Sequence, residues 1–94
     1  MGHKKSFVEH IVANADLQDE PIPGLPLIEI AGDRRVLIEN HRGVVEYGTQ
    51  TIRVNVKFGQ VCICGNGLEL ARMTRGQLVV CGYVEAVHLN RGRY

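Results

Sequence analysis

The sequence predicts a small antiparallel β-sandwich of about seven strands, preceded by a short helix and a Pro-rich linker. Three observations predict it. From Leu27 onward apolar residues recur every second position, the period of a strand with one buried and one wet face. Turn-forming residues recur about every 8–12 positions, the spacing of antiparallel sandwiches and barrels. The chain has no Trp, two Phe and three Tyr, so its core is built from Val, Ile and Leu, two of them β-branched and suited to a pleated surface.

The N-terminal element differs in period. Ser6-Phe7-Val8-Glu9 reads as a capping box, in which the Ser hydroxyl and the Glu carboxylate satisfy unpaired backbone N–H groups at a helix start. Phe7, Val8, Ile11, Val12 and Ala15 then share one helical face. A helix this short is marginal in water and needs a surface to dock on. Glu20 to Pro26, "EPIPGLP", holds three Pro and a Gly, which excludes helix and disfavours a central strand. It is a linker.

Strands are expected near 27–31, 35–40, 43–48, 51–58, 60–65, 67–72 and 77–89. "TIRVNVKF" is the plainest, with Ile52, Val54, Val56 and Phe58 on one face and Arg53, Asn55 and Lys57 on the other. Gly32-Asp33, His41-Arg42-Gly43, Gly48, Gly59, Asn66-Gly67 and Arg75-Gly76 punctuate them. "GQVCICGNGLEL" and "GQLVVCGYVEAV" align as a weak internal repeat offset by seventeen residues. In each copy a strand runs into a Gly, at Gly65 and Gly82, which suggests a strand that bends and continues. A small β-solenoid is the rival explanation of the period.

Ninety-four residues make one core-bearing unit. The net charge of +1 gives no strong pull toward nucleic acid or membrane. The balance is uneven: residues 1–26 carry two Lys against four acids, and residues 27–94 carry nine Arg or Lys against six acids. No apolar run approaches the ~20 residues of a membrane helix, and Glu9, His10 and Asn14 interrupt the stretch a signal peptide needs. Gly2 and Ser6 fit a short myristoylation pattern that carries little weight alone. Cytoplasmic synthesis, no direct membrane insertion and no nucleic-acid partner are the expectations.

Asn40, His41, Arg42 and Gly43 invite a chemical reading, with His41 a general base beside Glu39. No nucleophile stands in a recognised motif nearby, and the residue types suit a corner where the chain reverses and strand register is set. Cys62 and Cys64 project to one face of a predicted strand, and Cys81 occupies the repeat position of Cys64. Copies lying side by side would gather three thiols, a donor set that suits zinc, although structural zinc sites favour a wider Cys spacing. Reduced cysteines acting as small apolar residues are the simpler account. His3, His10, His41 and His88 show no metal-ligand spacing, "GNGLEL" lacks the third Gly and following helix of a dinucleotide cradle, and no cofactor is expected. The basic pair Arg34-Arg35 and the tail ending Arg91-Gly92-Arg93-Tyr94 read as solvated.

The strands at "VCIC" and "LVVC" are apolar on both faces: Val61 and Ile63 against Cys62 and Cys64, and Leu78 and Val80 against Val79 and Cys81. A strand of this kind is covered on both sides, here by the N-terminal helix or by another subunit. Cys62, Cys64, Val79 and Cys81 are therefore the expected interface in a self-associating protein.

With the strands placed, residues 25–88 resemble the YabP/YqfC family of bacterial sporulation proteins, the YqfC branch in particular. The resemblance rests on "LP-x-I-x-I-x-G" (Leu25 to Gly32), "IENHRGV-x-EY" (Ile38 to Tyr47), "I-x-G-x-GL-x-L" (Ile63 to Leu70) and "G-x-L-x-V-x-G-x-V" (Gly76 to Val84). It divides the chain into an N-terminal helix and linker, 1–24, and a β domain, 25–94. It implies a non-enzymatic role in sporulation, in assembly of the spore envelope (cortex and coat); with the doubly apolar strands, the expected partners are a second copy of the chain and other sporulation proteins. It implies a place peripheral to the forespore envelope and no catalytic residue or cofactor. Cys62, Cys64 and Cys81 depart from the family, where polar or charged residues are expected at such outer positions. A Cys-ligated metal-binding or redox-sensing module is the alternative reading, with Cys62, Cys64 and Cys81 as its ligands.

Overall fold

The computed structural model describes residues 23–92, and the predicted N-terminal helix lies outside them. The described residues form one six-stranded antiparallel sheet: β1 (Leu27–Ala31), β2 (Arg35–Glu39), β3 (Val44–Tyr47), β4 (Thr51–Val56), β5 (Gly59–Met73) and β6 (Gln77–Arg91). Their order across the sheet is β1-β2-β6-β5-β4-β3. The fold is all-β and antiparallel as expected, but with six strands in one continuous sheet instead of seven in two.

The difference lies at Asn66-Gly67. These residues read as a turn between two strands, yet the chain passes through them without reversing and β5 runs for 15 residues. The ladder between β5 and β6 absorbs them as bulges, with register shifts between Cys64 and Gly65, Asn66 and Glu69, and Leu70 and Arg72. A bulge bends a strand and increases its twist. Gly65 pairs with Val84 in the register, and a Cβ on Gly65 would collide with the carbonyl oxygen of Tyr83. Gly82 has φ 138°, and a Cβ there would lie 2.6 Å from the carbonyl oxygen of Gly67. The two glycines of the repeat are thus points where the paired backbones come too close to leave room for a side chain, as they do again at Gly59 beside Asn90. A register shift falls at Gly65 and another opposite Gly82, the kind of irregularity that bends a strand.

Each end of the long β5–β6 hairpin carries a short hairpin on its flank. The first half of β5 pairs with β4, from Val56 opposite Gly59 to Thr51 opposite Cys64. The first half of β6 pairs with β2, from Glu39 opposite Gln77 to Arg35 opposite Cys81. At the bends the loops of the flanking hairpins supply hydrogen bonds. Gly65 N–H donates to the Gln50 carbonyl at 3.0 Å and Leu68 N–H to the Thr49 carbonyl at 2.8 Å. On the other flank Gly82 N–H donates to Arg34 and Val84 N–H to Asp33, at 3.2 and 2.7 Å. The Arg34 guanidinium also lies 4.5 Å from the centre of the Tyr83 ring, a cation–π contact worth about 0.5–1 kcal/mol at an exposed site. The repeat is therefore expressed as an approximate two-fold relation within one sheet, not as stacked solenoid turns.

Val36 and Ile38 of β2, Ile52, Val54 and Val56 of β4, Val61, Ile63 and Leu68 of β5, and Leu78 and Val80 of β6 form one buried cluster. A sheet with one apolar face buries such side chains fully only by curling that face onto itself. The bends let the β2–β6 and β4–β5 halves share a single core. Ile52, Val54 and Val56 are buried and Arg53 and Asn55 half-exposed, as the two-residue period required.

Replacing Gly65 with Ala is expected to cost at least about 2 kcal/mol, because the methyl group meets a carbonyl oxygen inside a paired ladder. Gly76, with nothing within 4 Å of an added Cβ and no positive φ, is the control: Gly76→Ala is expected to leave stability unchanged or raise it by up to about 1 kcal/mol. Urea unfolding of the two variants checks both.

Candidate functional site

The four residues of the "NHRG" stretch form the link between β2 and β3. These strands are not neighbours in the sheet, so the segment carries the chain across from one half to the other and is not the reversal expected from sequence. Asn40 sits in the left-handed region at φ 64°, which Asn adopts more readily than most residues. Its N–H donates to the Gly76 carbonyl at 2.6 Å, and its side-chain Nδ2 donates to the Leu25 carbonyl at 2.9 Å. One residue thereby holds the β5–β6 turn and the incoming chain together.

His41 is 8% exposed. Its Nδ1 accepts from the Gly43 N–H at 3.0 Å, which places the proton on Nε2. That nitrogen donates to the Thr74 carbonyl at 2.9 Å. Both ring nitrogens are committed to backbone groups, one of them 33 residues away in sequence. Glu39 accepts a hydrogen bond from Gln77 at 3.2 Å. In this geometry the imidazole works as a strut. Beyond it, Arg42 N–H donates to the Asn55 carbonyl and Asn55 N–H to the Gly43 carbonyl, at 2.7 and 2.8 Å, which docks the crossover on β4. The Arg42 side chain is exposed.

The cysteines divide between the two halves of the sheet. Cys62 is 9% exposed and Cys64 partly so, with their Sγ atoms 3.7 Å apart. Burial pushes the Cys64 thiol above its ordinary pKa, and its contact with Cys62 adds to that. In the register Cys62 stands between Arg53 on β4 and His88 on β6. Arg53 pairs with Glu46 at 3.0 Å on an exposed surface, and Gln60 donates to Asn55 at 3.2 Å. Cys81 lies opposite Arg35 and Glu69 in the other half. The repeat copies do lie side by side, but they run antiparallel, so Cys64 faces Ala86 and Cys81 faces Glu69, and the equivalent cysteines do not pair with each other. The expected gathering of three thiols does not occur, and among the described residues no group of three or more His, Cys, Asp or Glu is placed to hold a metal ion. All three cysteines are free thiols.

Val79 lines a shallow groove on the β1–β2–β6 half together with Ile30, Leu37 and Ala71, edged by Glu29, Arg35, Arg72 and Gln77. Sequence reasoning found Val79 and missed Leu37 and Ile30. The available signal was three consecutive apolar residues, Val36 to Ile38, in a strand where strict alternation would make the middle one polar. Among the described residues no helix is long and apolar enough to cross a membrane.

These features define a small all-β domain whose distinctive sequence motif is a structural crossover and whose outer face carries a partly apolar groove. Comparison with known protein families matches residues 26–94 to the YabP family, and the chain belongs to that sporulation-associated family. It is 25% identical to the uncharacterized protein YqfC of Bacillus subtilis strain 168 over 88 residues, which cover 93% of this chain and 95% of that protein. No solved structure matches it.

His41→Ala removes both hydrogen bonds and leaves the half-buried Gly43 N–H without its partner, with an expected cost of about 1 kcal/mol in chemical denaturation. Cys64 is expected to react with iodoacetamide at neutral pH more slowly than the same cysteine in the urea-unfolded chain, since the thiolate is the nucleophile. Peptide mapping after timed alkylation reads the difference.

Proposed function

We propose that this protein is a non-catalytic sporulation protein that acts in assembly of the spore envelope through protein–protein contacts, including contacts with a second copy of itself. Its place of action is the periphery of the forespore envelope. Family membership supports the sporulation role. The observation that carries the contact reading is the groove of Ile30, Leu37, Ala71 and Val79 within a charged rim. An apolar floor with a polar edge is the anatomy of a protein interface, and such patches on small soluble domains mark binding surfaces.

Two further features support this reading. The imidazole of His41 is occupied on both nitrogens by backbone, and Glu39 is engaged by Gln77, so the motif that most invites a catalytic role is used for packing. The edge strands β1 and β3 offer unpaired backbone groups for extension by a partner strand. Cys81 borders the same half of the sheet, beside Ala31, Arg34 and Arg35.

Val79→Arg places a charge on the groove floor while leaving the buried face of β6 intact. Sedimentation of the parent chain is expected to show self-association that this variant weakens. Affinity purification from sporulating cells is expected to recover envelope proteins with the parent chain and not with the variant. A parent chain that stays monomeric at high micromolar concentration overturns the self-association, and equal recovery by both chains overturns the groove as the contact surface.

A further inference from the structure

The groove is bordered along one side by a sheet edge, β1, through Glu29, Ile30 and Ala31. Ile30 is 54% exposed although its register partner, Val36, is fully buried. Ile28 and Ile30 share the face of Val36 and Ile38, and Glu29 and Ala31 share the outer face with Leu37 and Arg35.

The hydrogen bonds that frame β2 show which backbone groups of β1 are unpaired. Gly82 N–H donates to the Arg34 carbonyl and Asn40 N–H to the Gly76 carbonyl. The even-numbered residues of β2 therefore direct their backbone groups to β6, and Arg35, Leu37 and Glu39 direct theirs to β1. Leu27, Glu29 and Ala31 stand opposite these three. Ile28 and Ile30 are left with N–H and C=O turned to the free edge. Natural sheet edges are blunted by bulges, charges and Pro. The other outer strand, β3, carries a register shift between Val44 and Glu46, whereas β1 pairs with β2 without a break from Leu27 to Ala31. The stretch of β6 from Ala86 to Arg91 is also regular and has β5 on one side only, but it belongs to the half of the sheet away from the groove.

These directions leave few ways for two copies to pair edge to edge about a two-fold axis. An axis at Ile28 sets Ile30 opposite Pro26, which has no N–H to give. An axis at Glu29 sets two carboxylates directly opposite, about 4.5 Å apart at Cα, where like charges repel. An axis at Ile30 meets neither obstacle.

We propose that β1 of one copy pairs antiparallel with β1 of a second copy about a two-fold axis at Ile30. The proposal rests on the self-association read from the groove and assigns it an edge and a register. The Ile30 N–H of each copy donates to the Ile30 carbonyl of the other, and the two exposed Ile30 side chains cover each other. On the outer face Glu29 stands opposite Ala31 of the second copy, and that Ala31 has Arg35 of its own copy on its far side. Glu29 and the Arg35 of the second copy are two strand spacings apart, about 9.5 Å, with only an alanine side chain between them. Among the described residues neither has an ion pair within its own copy. The symmetry forms this pair twice. Val79, Leu37 and Glu29 make one row across β6, β2 and β1, so the guanidinium introduced by Val79→Arg competes for Glu29 and weakens the same dimer.

The test is sedimentation equilibrium of the full chain and its variants, with circular dichroism as the check on folding. The parent is expected to show a monomer–dimer equilibrium. Ile30→Pro removes the N–H exchanged at the axis, at a position where an edge strand tolerates Pro, and is expected to weaken dimerization by about tenfold or more. Should that variant fail to fold, Ile30→Lys, which sets two like charges face to face, takes its place. Glu29→Lys and Arg35→Glu are each expected to weaken the dimer by about threefold to tenfold, and the double variant to recover the parent affinity. Leu89→Lys, on the free stretch of β6, is expected to dimerize as the parent does. A monomeric parent overturns the self-association itself. A dimeric parent with an undiminished Ile30 variant overturns this edge and leaves the groove reading standing. A double variant that stays as weak as the single ones overturns the register, and dissociation of Leu89→Lys overturns the choice of β1 over β6.

Discussion

The close antiparallel approach of β5 and β6 at Gly65 and Gly82 is the constraint on which the rest of this structure depends. Backbone atoms of Tyr83 and Gly67 occupy the space where side chains would begin. That contact lets two 15-residue strands bend together without losing their pairing. A straight hairpin of the same length would spread its apolar residues over one long face, and no other described element lies across it as a second layer. Bent, the hairpin brings Val61, Ile63, Leu78 and Val80 into the cluster that also holds Ile38 and Ile52. Full burial of such side chains contributes roughly 1.5–3 kcal/mol each, so the bend is what turns an amphipathic sheet into a core.

The crossover from β2 to β3 solves the problem the bend creates. The chain must leave one half of the curled sheet and enter the other, and an irregular segment in that position carries backbone groups that need partners. Asn40 and His41 meet part of that need with their side chains and backbone, tying the crossover to Leu25, Thr74 and Gly76. The composition of "NHRG" follows from this work. Asn tolerates a positive φ and offers an amide donor. His has one ring nitrogen to accept from Gly43 and one to donate to Thr74. Arg42 turns outward, and Gly43 completes the turn.

The two halves of the sheet share a plan and differ in their outer surfaces. The β2–β6 half presents Leu37 and Val79 in a groove with charged edges. The β4–β5 half presents Arg53, Asn55 and Gln60 around a nearly covered Cys62. Long polar side chains shade apolar positions there, which accounts for a strand that is apolar on both faces with no helix described over it. A repeated internal architecture with divergent exteriors gives a small chain two chemically distinct surfaces from one folding solution.

Much of this was legible in the sequence because it is local. Strand positions follow from a two-residue alternation, and five of the seven expected segments correspond to separate strands. The buried and exposed sides of β4 were readable from Ile52 to Val56, and the bends at Gly65 and Gly82 were readable from the repeat. What sequence could not separate was a glycine that turns a chain from one that bends it. Asn66-Gly67 has the residues of a hairpin turn, and only its pairing with β6 keeps the strand running. Likewise the repeat made Cys64 and Cys81 equivalent, but equivalence in sequence carries no direction. Antiparallel pairing set Cys64 opposite Ala86 and Cys81 opposite Glu69, and left Cys62 and Cys64 as the close pair. Alternation is set residue by residue through the pleat of the backbone, whereas the partners of a strand and the curl of a sheet are set by contacts between residues far apart in the chain, and those belong to the tertiary structure alone.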